Sequence, residues 1–288
     1  MTFSIIVPFL NEEKYIEECI GSLLAQDFPK SEYEIIFIDN GSTDNSVSIV
    51  KKFSAVKLLK MERRNVYAAR NMGIETAAGH IIAFTDADCV VSGDWLRHIY
   101  RGMEDADTLI ALGDVSFSRK SSFALKMFQD CQNARTEYAI NRLSRRKYYA
   151  YTNNMAIRTS VFEKFGPLAE WPVPGDTEII QRCTANDENC KVAYLGGMKV
   201  FHLEVSGVMT WLKKTFFYGK HNILIRRKKI TILESFRIYR YCFRKNSYPI
   251  WERFFFIILM FVGDVFYIAG AANGILEFLV IRGYKKRC

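Results

Sequence analysis

Hydrophobic positions in the first 115 residues follow two alternating periods. Short apolar runs that stop at a polar residue or a proline predict β-strands at 3–7, 34–38, 56–59 and 80–85. Apolar residues repeated every three or four positions predict helices at 12–24, 43–53 and 68–77, the first of them capped by Asn11. Strands that alternate with helices of about a dozen residues predict an α/β fold with a parallel, doubly wound sheet.

Polar residues follow the predicted strand ends. They are Asn11, Asp39, Asn40, Asp86 and Asp88. In open α/β sheets, ligands bind in the crevice outside the carboxyl ends of the strands. We therefore expect these side chains to lie at one edge of the sheet and to form part of a ligand site.

The pattern becomes less regular after residue 116 and changes again after residue 204. Helices are predicted at 121–141, 160–165 and 177–185, and short strands at 148–151 and 191–195. Further on, residues 211–218 are amphipathic, and residues 254–276 are mostly apolar but interrupted by Asp264 and Asn273. We assign residues 1–220 to one continuous domain and residues 221–288 to a helical extension.

Charge distinguishes the last part of the chain from the rest. The 288 residues carry a formal net charge of +9. Residues 1–204 hold 24 basic and 27 acidic side chains, whereas residues 205–288 hold 16 basic and 4 acidic ones. A hydrophobic content of 49% excludes a disordered chain. The basic C-terminal part indicates an anionic partner, either a membrane or a nucleic acid.

Cysteine usage and the N-terminal residues predict the compartment. Seven cysteines, an odd number, occur without a CxxC pair or a metal-binding spacing. Reduced thiols in the cytosol are therefore expected. The first residues form a short apolar run without a basic start, so a signal peptide is not expected.

Two short motifs suit a nucleotide. Asp39, which Asn40 and Gly41 follow, can accept hydrogen bonds from a nucleobase imide or a ribose hydroxyl, although these residues also suit a plain turn. Arg70, on a predicted helix, can pair with a phosphate or with an acid of the site. Its alternative is a solvated helical arginine.

Two further motifs offer carboxylates. Asp86 and Asp88 alternate after a strongly apolar strand and can both bind one hard cation, such as Mg²⁺ or Mn²⁺, together with substrate phosphates. The alternative is a polar loop that caps the next helix. Asp176 and Glu178 open a predicted helix, where an acid serves either as a cap or as a general base.

Four segments occur in an order and spacing that resemble a known family. They read SIIVPFLNEE from residue 4, IDNGSTDNS from residue 38, AARNMGIETAAGHIIAFTDADC from residue 68 and FEKFGPLAEWPVPGDTEIIQR from residue 162. Together they resemble the family 2 glycosyltransferases over about residues 3–220. The resemblance implies a single Rossmann-like glycosyltransferase A domain, to which the charge and apolar pattern of the last residues add a C-terminal helical, membrane-associating extension. It also implies inverting transfer from a nucleotide-diphosphate sugar with Mn²⁺ or Mg²⁺.

The same resemblance implies residue roles. The donor-binding set is Pro8, Asn11, Glu12, Asp39, Asn40, Arg70, Asp86, Asn154 and Glu178. The metal set is Asp88, Asp86 and His202, and the catalytic base is Asp176. Asn154 is expected near the sugar and the acceptor, and His202 near the diphosphate, with a structural histidine as its alternative.

Some residues depart from the family pattern. Gly175 stands where members have a glutamate before the aspartate, so the base is left open between Asp176 and Glu178. Asn40 replaces a frequent aspartate. Cys89 replaces a third acid that frequently follows the family's DxD motif, which is Asp86-Ala87-Asp88 here. Two other functions stay open: a nucleotidyltransferase, and a non-catalytic, membrane-anchored nucleotide-sugar binding protein.

The basic C-terminal part has three interpretations. It lacks a recognisable nucleic-acid motif, so no nucleic-acid partner is expected. Its helices can pack on the domain or on a second subunit, which would give a homo-oligomer. Its basic clusters beside residues 254–276 suit an anionic membrane, although Asp264 would cost roughly 2.5–3.5 kcal/mol at the centre of a span.

We favour the membrane interpretation. The segment is expected either to cross the bilayer once, to be re-entrant, or to lie on the surface. The enzyme is accordingly placed at the cytoplasmic face of the cell membrane, with a glycan or a lipid-linked molecule as its acceptor and polysaccharide biosynthesis as its setting.

Overall fold

The computed structural model describes residues 1–62, 64–117, 122–170, 175–205, 207–221 and 232–285. Two compact units are distinguished by their internal contacts. Unit 1 comprises Met1–Ser116 and Thr136–Glu204, and unit 2 comprises Phe117–Arg135 and Val205–Cys288. The predicted domain boundary between residues 220 and 221 stays a prediction.

The described strands form a single sheet. They are β1 (Phe3–Phe9), β2 (Tyr33–Asp39), β3 (Val56–Lys60), β4 (Ile81–Phe84), β5 (Cys89–Val91), β6 (Thr108–Phe117), β7 (Met155–Arg158) and β8 (Lys191–His202). Their order is β3-β2-β1-β4-β7-β6-β8-β5. The strands β3, β2, β1 and β4 pair in parallel, as expected.

The prediction of a parallel sheet is wrong for its second half. β7 pairs antiparallel with both β4 and β6, and β5 pairs antiparallel with β8. The sheet is therefore mixed. Hydrophobic periodicity indicates that a strand exists but carries no information about its direction, and β7 pairs with a strand that precedes it by some 70 residues.

Helices lie between the strands of unit 1. The described helices of the chain are α1 (Ile16–Leu24), α2 (Ser46–Val50), α3 (Val66–Thr76), α4 (Trp95–Gly102), α5 (Phe123–Arg142), α6 (Thr159–Phe165), α7 (Gly175–Asn186), α8 (Val208–His221), α9 (Ile232–Lys245) and α10 (Ile250–Lys285). Alternate residues of β1 belong to different apolar clusters, with Ile5 in one and Ile6 in the other. Both faces of the sheet are therefore buried around β1, which is typical of α/β proteins.

Several element boundaries differ from the sequence prediction. Asn11 does not cap α1, which begins at Ile16 with Tyr15 as its N-cap residue. Instead Asn11 adopts a left-handed backbone with φ +57° and accepts a hydrogen bond from the Thr43 amide. Residues 148–151 are not a strand, and the sequence prediction missed β5, α4, β6 and β7. In these places tertiary hydrogen bonds override local pattern.

The described residues of unit 2 are mostly helical. Its apolar core includes Phe128 of α5, Trp211 of α8 and Phe256 of α10, and the Phe128 and Trp211 rings stack with centroids 3.5 Å apart. Tyr248 donates a hydrogen bond to Asp130 across this core. Residues Ile250–Ile275 have the length and apolar composition of a membrane-crossing helix: an 18-residue window within them has a mean hydropathy of 2.2 and is 22% buried.

Asn154 joins three elements of unit 1. Its Nδ2 donates to the carbonyls of Asp114 in β6 and Met198 in β8, at 2.7 and 2.8 Å. Its Oδ1 accepts from the Trp95 indole of α4 at 2.9 Å. The side chain is 2% exposed, so bulk water cannot replace these hydrogen bonds.

We expect Asn154→Ala to destabilise the protein by about 2–5 kcal/mol, because it leaves buried donors and acceptors unsatisfied at about 1–3 kcal/mol each. Chemical denaturation measures this change. Asn153→Ala is the matched control: the buried Oδ1 of Asn153 has no hydrogen-bond partner among the described residues, so its loss should change stability little. Equal losses in the two variants would contradict this role of Asn154.

Candidate active site

The loop after β2 is held by its own side chains. Asp39 is buried, and its Oδ1 accepts a hydrogen bond from the Ser42 amide at 2.8 Å. Gly41 has φ +90°, a conformation that favours glycine. The neighbouring Asn40, also buried, accepts from the Asn65 amide at 2.9 Å. Residues 39–42 therefore form the turn that the sequence allowed. This turn places Asp39 at the edge of the sheet.

The loop after β1 is tied to the loop after β2. The Asn11 amide donates to Ser42 Oγ at 3.1 Å, and the Glu12 amide donates to Ser46 Oγ at 2.8 Å. Pro8 is buried in β1 directly beside Ile38 of β2. The structure thus brings Pro8, Asn11, Glu12, Asp39 and Asn40 to adjacent strand ends.

Arg70 and Asp86 form a short ion pair. Arg70 Nη2 lies 2.7 Å from Asp86 Oδ1, and the two side chains are 5% and 33% exposed. The Arg70 Nε is buried without a hydrogen-bond partner among the described residues. A solvated arginine is thereby excluded, because α3 delivers the guanidinium to the end of β4.

Asp88 lies beside His202 on the other side of the same loop. Antiparallel pairing of β5 with β8 aligns Cys89 with His202, and the Leu203 amide donates to the Asp88 carbonyl at 2.8 Å. His202 Nδ1 lies 3.3 Å from Asp88 Oδ2. Cys89 Sγ donates to the other carboxylate oxygen of Asp88 at 3.4 Å. Two strands distant in sequence thus assemble this cluster.

The cluster of Asp88, Cys89 and His202 has the donor chemistry of a cation site. One ligand atom from each of the three residues lies within 4.8 Å of the others. Carboxylate oxygen and imidazole nitrogen together suit a first-row divalent ion such as Mn²⁺. Burial, reinforced by the charges of Asp88 and Asp86, raises the pKa of the Cys89 thiol well above its usual value, so Cys89 is a hydrogen-bond donor to Asp88. Asp86 is engaged by Arg70 and is not part of this cluster, so Asp88 is its only carboxylate.

Asp176 is a buried carboxyl group at the start of α7. Its Oδ1 accepts from the Thr177 amide at 2.7 Å and from the Tyr67 hydroxyl at 3.4 Å. Burial raises the pKa of Asp176, and the hydrogen bond from Thr177 and the charge of Arg70 oppose that rise. A carboxyl group with a raised pKa is suited to accept a proton.

Tyr67 connects the base candidate to the ion pair, and sequence analysis missed it. Its ring lies beneath the Arg70 guanidinium at 5.4 Å, and its hydroxyl donates to Asp176. Burial, followed by the charge of Asp176, raises the pKa of the Tyr67 hydroxyl far above its usual value. A detectable signal existed: Tyr67 precedes Arg70 by three residues, which places both on one face of α3.

Two predicted site residues have other engagements. The side-chain amide of Asn154 is hydrogen-bonded to Trp95, Asp114 and Met198. Glu178 accepts from Arg182 at 2.9 Å within α7. The structure therefore groups Asp176, not Glu178, with Tyr67 and Arg70.

Comparison with known proteins gives consistent matches. The family model described as Glycosyl transferase family 2 matches residues 4–166. Glycosyltransferase AglE of Haloferax volcanii is 31% identical over 188 residues, which cover 63% of this chain and 60% of that protein. Glycosyltransferase GlyG of Streptococcus pneumoniae is 34% identical over 116 residues, 38% of each chain. The matches thus span less than two thirds of these relatives.

Solved structures share the fold. The mannosyltransferase PcManGT of Pyrobaculum calidifontis, in complex with GDP-Man and Mn²⁺, superposes with a TM-score of 0.57 at 18% identity, covering 98% of this chain and 79% of that one. S. aureus TarS 1-349 in complex with UDP-GlcNAc gives a TM-score of 0.56 at 20% identity, covering 86% and 74%. At such identities the likeness establishes the fold.

The raised pKa of Asp176 predicts a pH-dependent stability. Its pKa in the folded protein lies above the ordinary value of 3.8, so ionising Asp176 opposes folding once the pH rises above that value. We expect Asp176→Asn to be more stable than the wild type at neutral pH and to lose this advantage below pH 3.8, where both states of the wild type are protonated. Each unit of pKa shift corresponds to about 1.4 kcal/mol.

Thermal melts of both proteins across this pH range provide the measurement. Glu178→Gln is the control, since a partly exposed ion pair contributes about 0–1 kcal/mol. An Asp176→Asn variant that is less stable than the wild type at neutral pH would show that the protein stabilises the ionised carboxylate, contrary to a raised pKa.

Proposed function

The chain belongs to the family 2 glycosyltransferases, and from this premise we propose that it transfers a sugar from a nucleotide-diphosphate donor to an acceptor hydroxyl with inversion at the anomeric carbon. One observation carries the proposal. The buried carboxyl of Asp176 is linked through Tyr67 to Arg70, which is paired with Asp86 of the DxD. The proposed proton acceptor, Asp176, is thus connected to Arg70 and Asp86, the groups proposed to act at the diphosphate.

Asp176 acts as the general base. A sugar hydroxyl is a poor nucleophile at neutral pH, and a carboxylate within hydrogen-bond reach removes its proton as the new bond forms. The Thr177 amide and the Tyr67 hydroxyl both bind Oδ1, which fixes the orientation of the carboxylate. The deprotonated acceptor displaces the nucleotide diphosphate directly, and a single displacement inverts the anomeric carbon.

Positive and polar groups are available to bind the leaving diphosphate. Arg70, whose Nε has no protein partner among the described residues, is placed to donate to a phosphate oxygen. Asp88 and His202 would hold Mn²⁺ or Mg²⁺, and such an ion would supply positive charge to stabilise the leaving diphosphate. The imidazole nitrogen favours Mn²⁺ of the two ions, because Mg²⁺ is bound mainly by oxygen. Pro8, Asn11, Glu12, Asp39 and Asn40 line the nucleotide side.

The acceptor is a glycan or a lipid-linked molecule at the cytoplasmic face of the membrane. A relative from Methanococcus voltae, 36% identical over 101 residues, is named for transfer to a dolichyl N-acetyl-α-D-glucosaminyl phosphate. In this chain, residues 205–288 carry 16 basic and 4 acidic side chains beside an apolar helix. That combination suits the anionic leaflet of a membrane.

Asp176→Asn is expected to lower the transfer rate by about 100- to 10,000-fold, the contribution typical of a general base. Binding of the donor with Mn²⁺, measured by thermal shift over a panel of nucleotide sugars, should persist. Glu178→Gln is the matched control on the same helix and should retain transfer, because Glu178 pairs with Arg182. Loss of transfer in Glu178→Gln together with wild-type turnover in Asp176→Asn would reassign the base.

The released product provides a second test. A sugar transfer liberates nucleoside diphosphate, and NMR of the product should show the inverted anomeric configuration. Release of pyrophosphate would instead identify a nucleotidyltransferase. Retention of configuration would contradict the single displacement.

Metal dependence provides a third test. Chelation should abolish transfer, Mn²⁺ should restore it, and His202→Gln should weaken Mn²⁺ binding by about tenfold or more, equivalent to about 1.4 kcal/mol. His98→Gln is the control, since His98 also pairs with an aspartate, Asp94 at 3.1 Å, but on an exposed surface. Unchanged Mn²⁺ affinity in His202→Gln, measured by calorimetry, would remove His202 from the metal set.

A further inference from the structure

Helix α10 exposes an apolar stripe along its length. Phe254, Ile258, Phe261, Val265 and Ile268 are 67%, 61%, 68%, 47% and 65% exposed. Their spacing of four and three residues places them on one face of the helix. Monomeric soluble proteins rarely expose contiguous apolar surface of this extent, so the stripe indicates a binding surface.

The opposite face of α10 is packed within unit 2. Phe256, Met260, Gly263 and Gly270 repeat the same spacing, displaced by two residues, and all four are buried. A shift of two residues turns the helix by about 200°, so the buried stripe lies directly behind the exposed one. The two stripes therefore define an exposed side and a protein-covered side of α10.

Helix α8 supplies much of the cover. A Cβ on Gly263 would meet the Trp211 ring at 2.6 Å, and one on Gly270 would collide with the Phe216 carbonyl. Gly219 of α8 lies equally close to the Tyr267 carbonyl. Contacts thus run along α8 and along the central part of α10, from residue 263 to residue 270. The two helices lie side by side rather than touching at one point.

Polar residues occupy α8 and the flanks of α10. Helix α8 carries Lys213, Lys214 and Lys220 beside the middle of α10. On one flank of α10, Asp264 accepts a hydrogen bond from Tyr239 and lies near Arg135. If α10 crossed the bilayer, its middle would lie in the hydrocarbon and would carry these lysines and Asp264 there with it. Charged groups at that depth are strongly unfavourable.

Basic residues also line helix α9. Arg237, Arg240 and Arg244 are exposed and spaced three and four residues apart, so they share one face of that helix. They belong to the segment with 16 basic and 4 acidic side chains. An anionic lipid surface complements this charge, and its hydrocarbon complements the exposed apolar stripe of α10.

We propose that α10 lies in the plane of an anionic membrane surface, with the stripe from Phe254 to Ile268 in the lipid and α8 on its other side, and that it does not cross the bilayer. The proposal rests on the membrane location in the proposed function and specifies its geometry. The helix then binds one leaflet only, so its two ends lie on the same side of the membrane.

The test uses the full chain with a C-terminal protease-cleavable tag, added to preformed vesicles of phosphatidylcholine with phosphatidylglycerol, or of phosphatidylcholine alone. We expect flotation with the anionic vesicles, at least tenfold weaker flotation with the neutral ones, extraction by alkaline carbonate, and complete cleavage of the tag by protease added outside. A tag that becomes protected, or protein that resists carbonate, would show a span and overturn the proposal while leaving membrane association intact.

Substitutions on α10 locate the contact. Phe261→Gln, on the exposed stripe, should weaken flotation at least tenfold and leave the thermal melt unchanged. Tyr100→Gln is the matched control, since Tyr100 is 47% exposed in unit 1 and should leave flotation unchanged. Brominated lipids should quench the fluorescence of Trp251, which is 63% exposed at the start of α10.

Two outcomes would overturn the surface assignment in other ways. Flotation that does not change in Phe261→Gln would exclude the stripe as the contact. A vesicle-independent dimer that dissociates on the same substitution would assign the stripe to a second copy of the chain. Transfer to a soluble acceptor, measured in parallel without vesicles, reports on the catalytic proposal independently of all these results.

Discussion

Both faces of the central part of the sheet in unit 1 are buried, and this constraint determines where the chemistry of the protein can occur. Ile5 and Ile6 of β1 enter different apolar clusters, so the central strands offer no solvated face for polar groups. In this part of the sheet, functional side chains can emerge only where strands end. Asp39, Asp86 and Asp88 all lie at or next to such ends, and the loop that follows Asp39 is held to the loop after β1 by hydrogen bonds.

At these strand ends, buried groups of opposite charge stabilise one another. Arg70 is almost wholly enclosed and is stabilised by Asp86, since a buried guanidinium without an acidic partner would be strongly destabilising. The same positive charge opposes the effect of burial on Asp176 and keeps the rise in its pKa smaller. Tyr67 joins the two through its ring and its hydroxyl. The proposed base and the proposed phosphate-binding group are therefore electrostatically dependent on each other.

In unit 2, the main feature is the unequal burial of the two sides of α10. Its helices cover one side of α10 and leave the other side apolar and exposed. Glycines at the α8–α10 contact allow the two backbones to approach closely, which a larger residue would prevent. The chemistry of the exposed side matches lipid rather than water.

The sequence by itself determined the parallel half of the sheet, the strand ends that carry Asp39, Asp86 and Asp88, and the family, because short-range periodicity and ordered motifs are local properties of the chain. It left open the choice between Asp176 and Glu178, and between a solvated and a buried Arg70. Tertiary structure decided where these side chains lie, since α7 turns Asp176 towards Tyr67 and leaves Glu178 to Arg182. It also decided the direction of β5 and β7 and the two sides of α10, because strand direction and helix burial depend on partners distant in the chain.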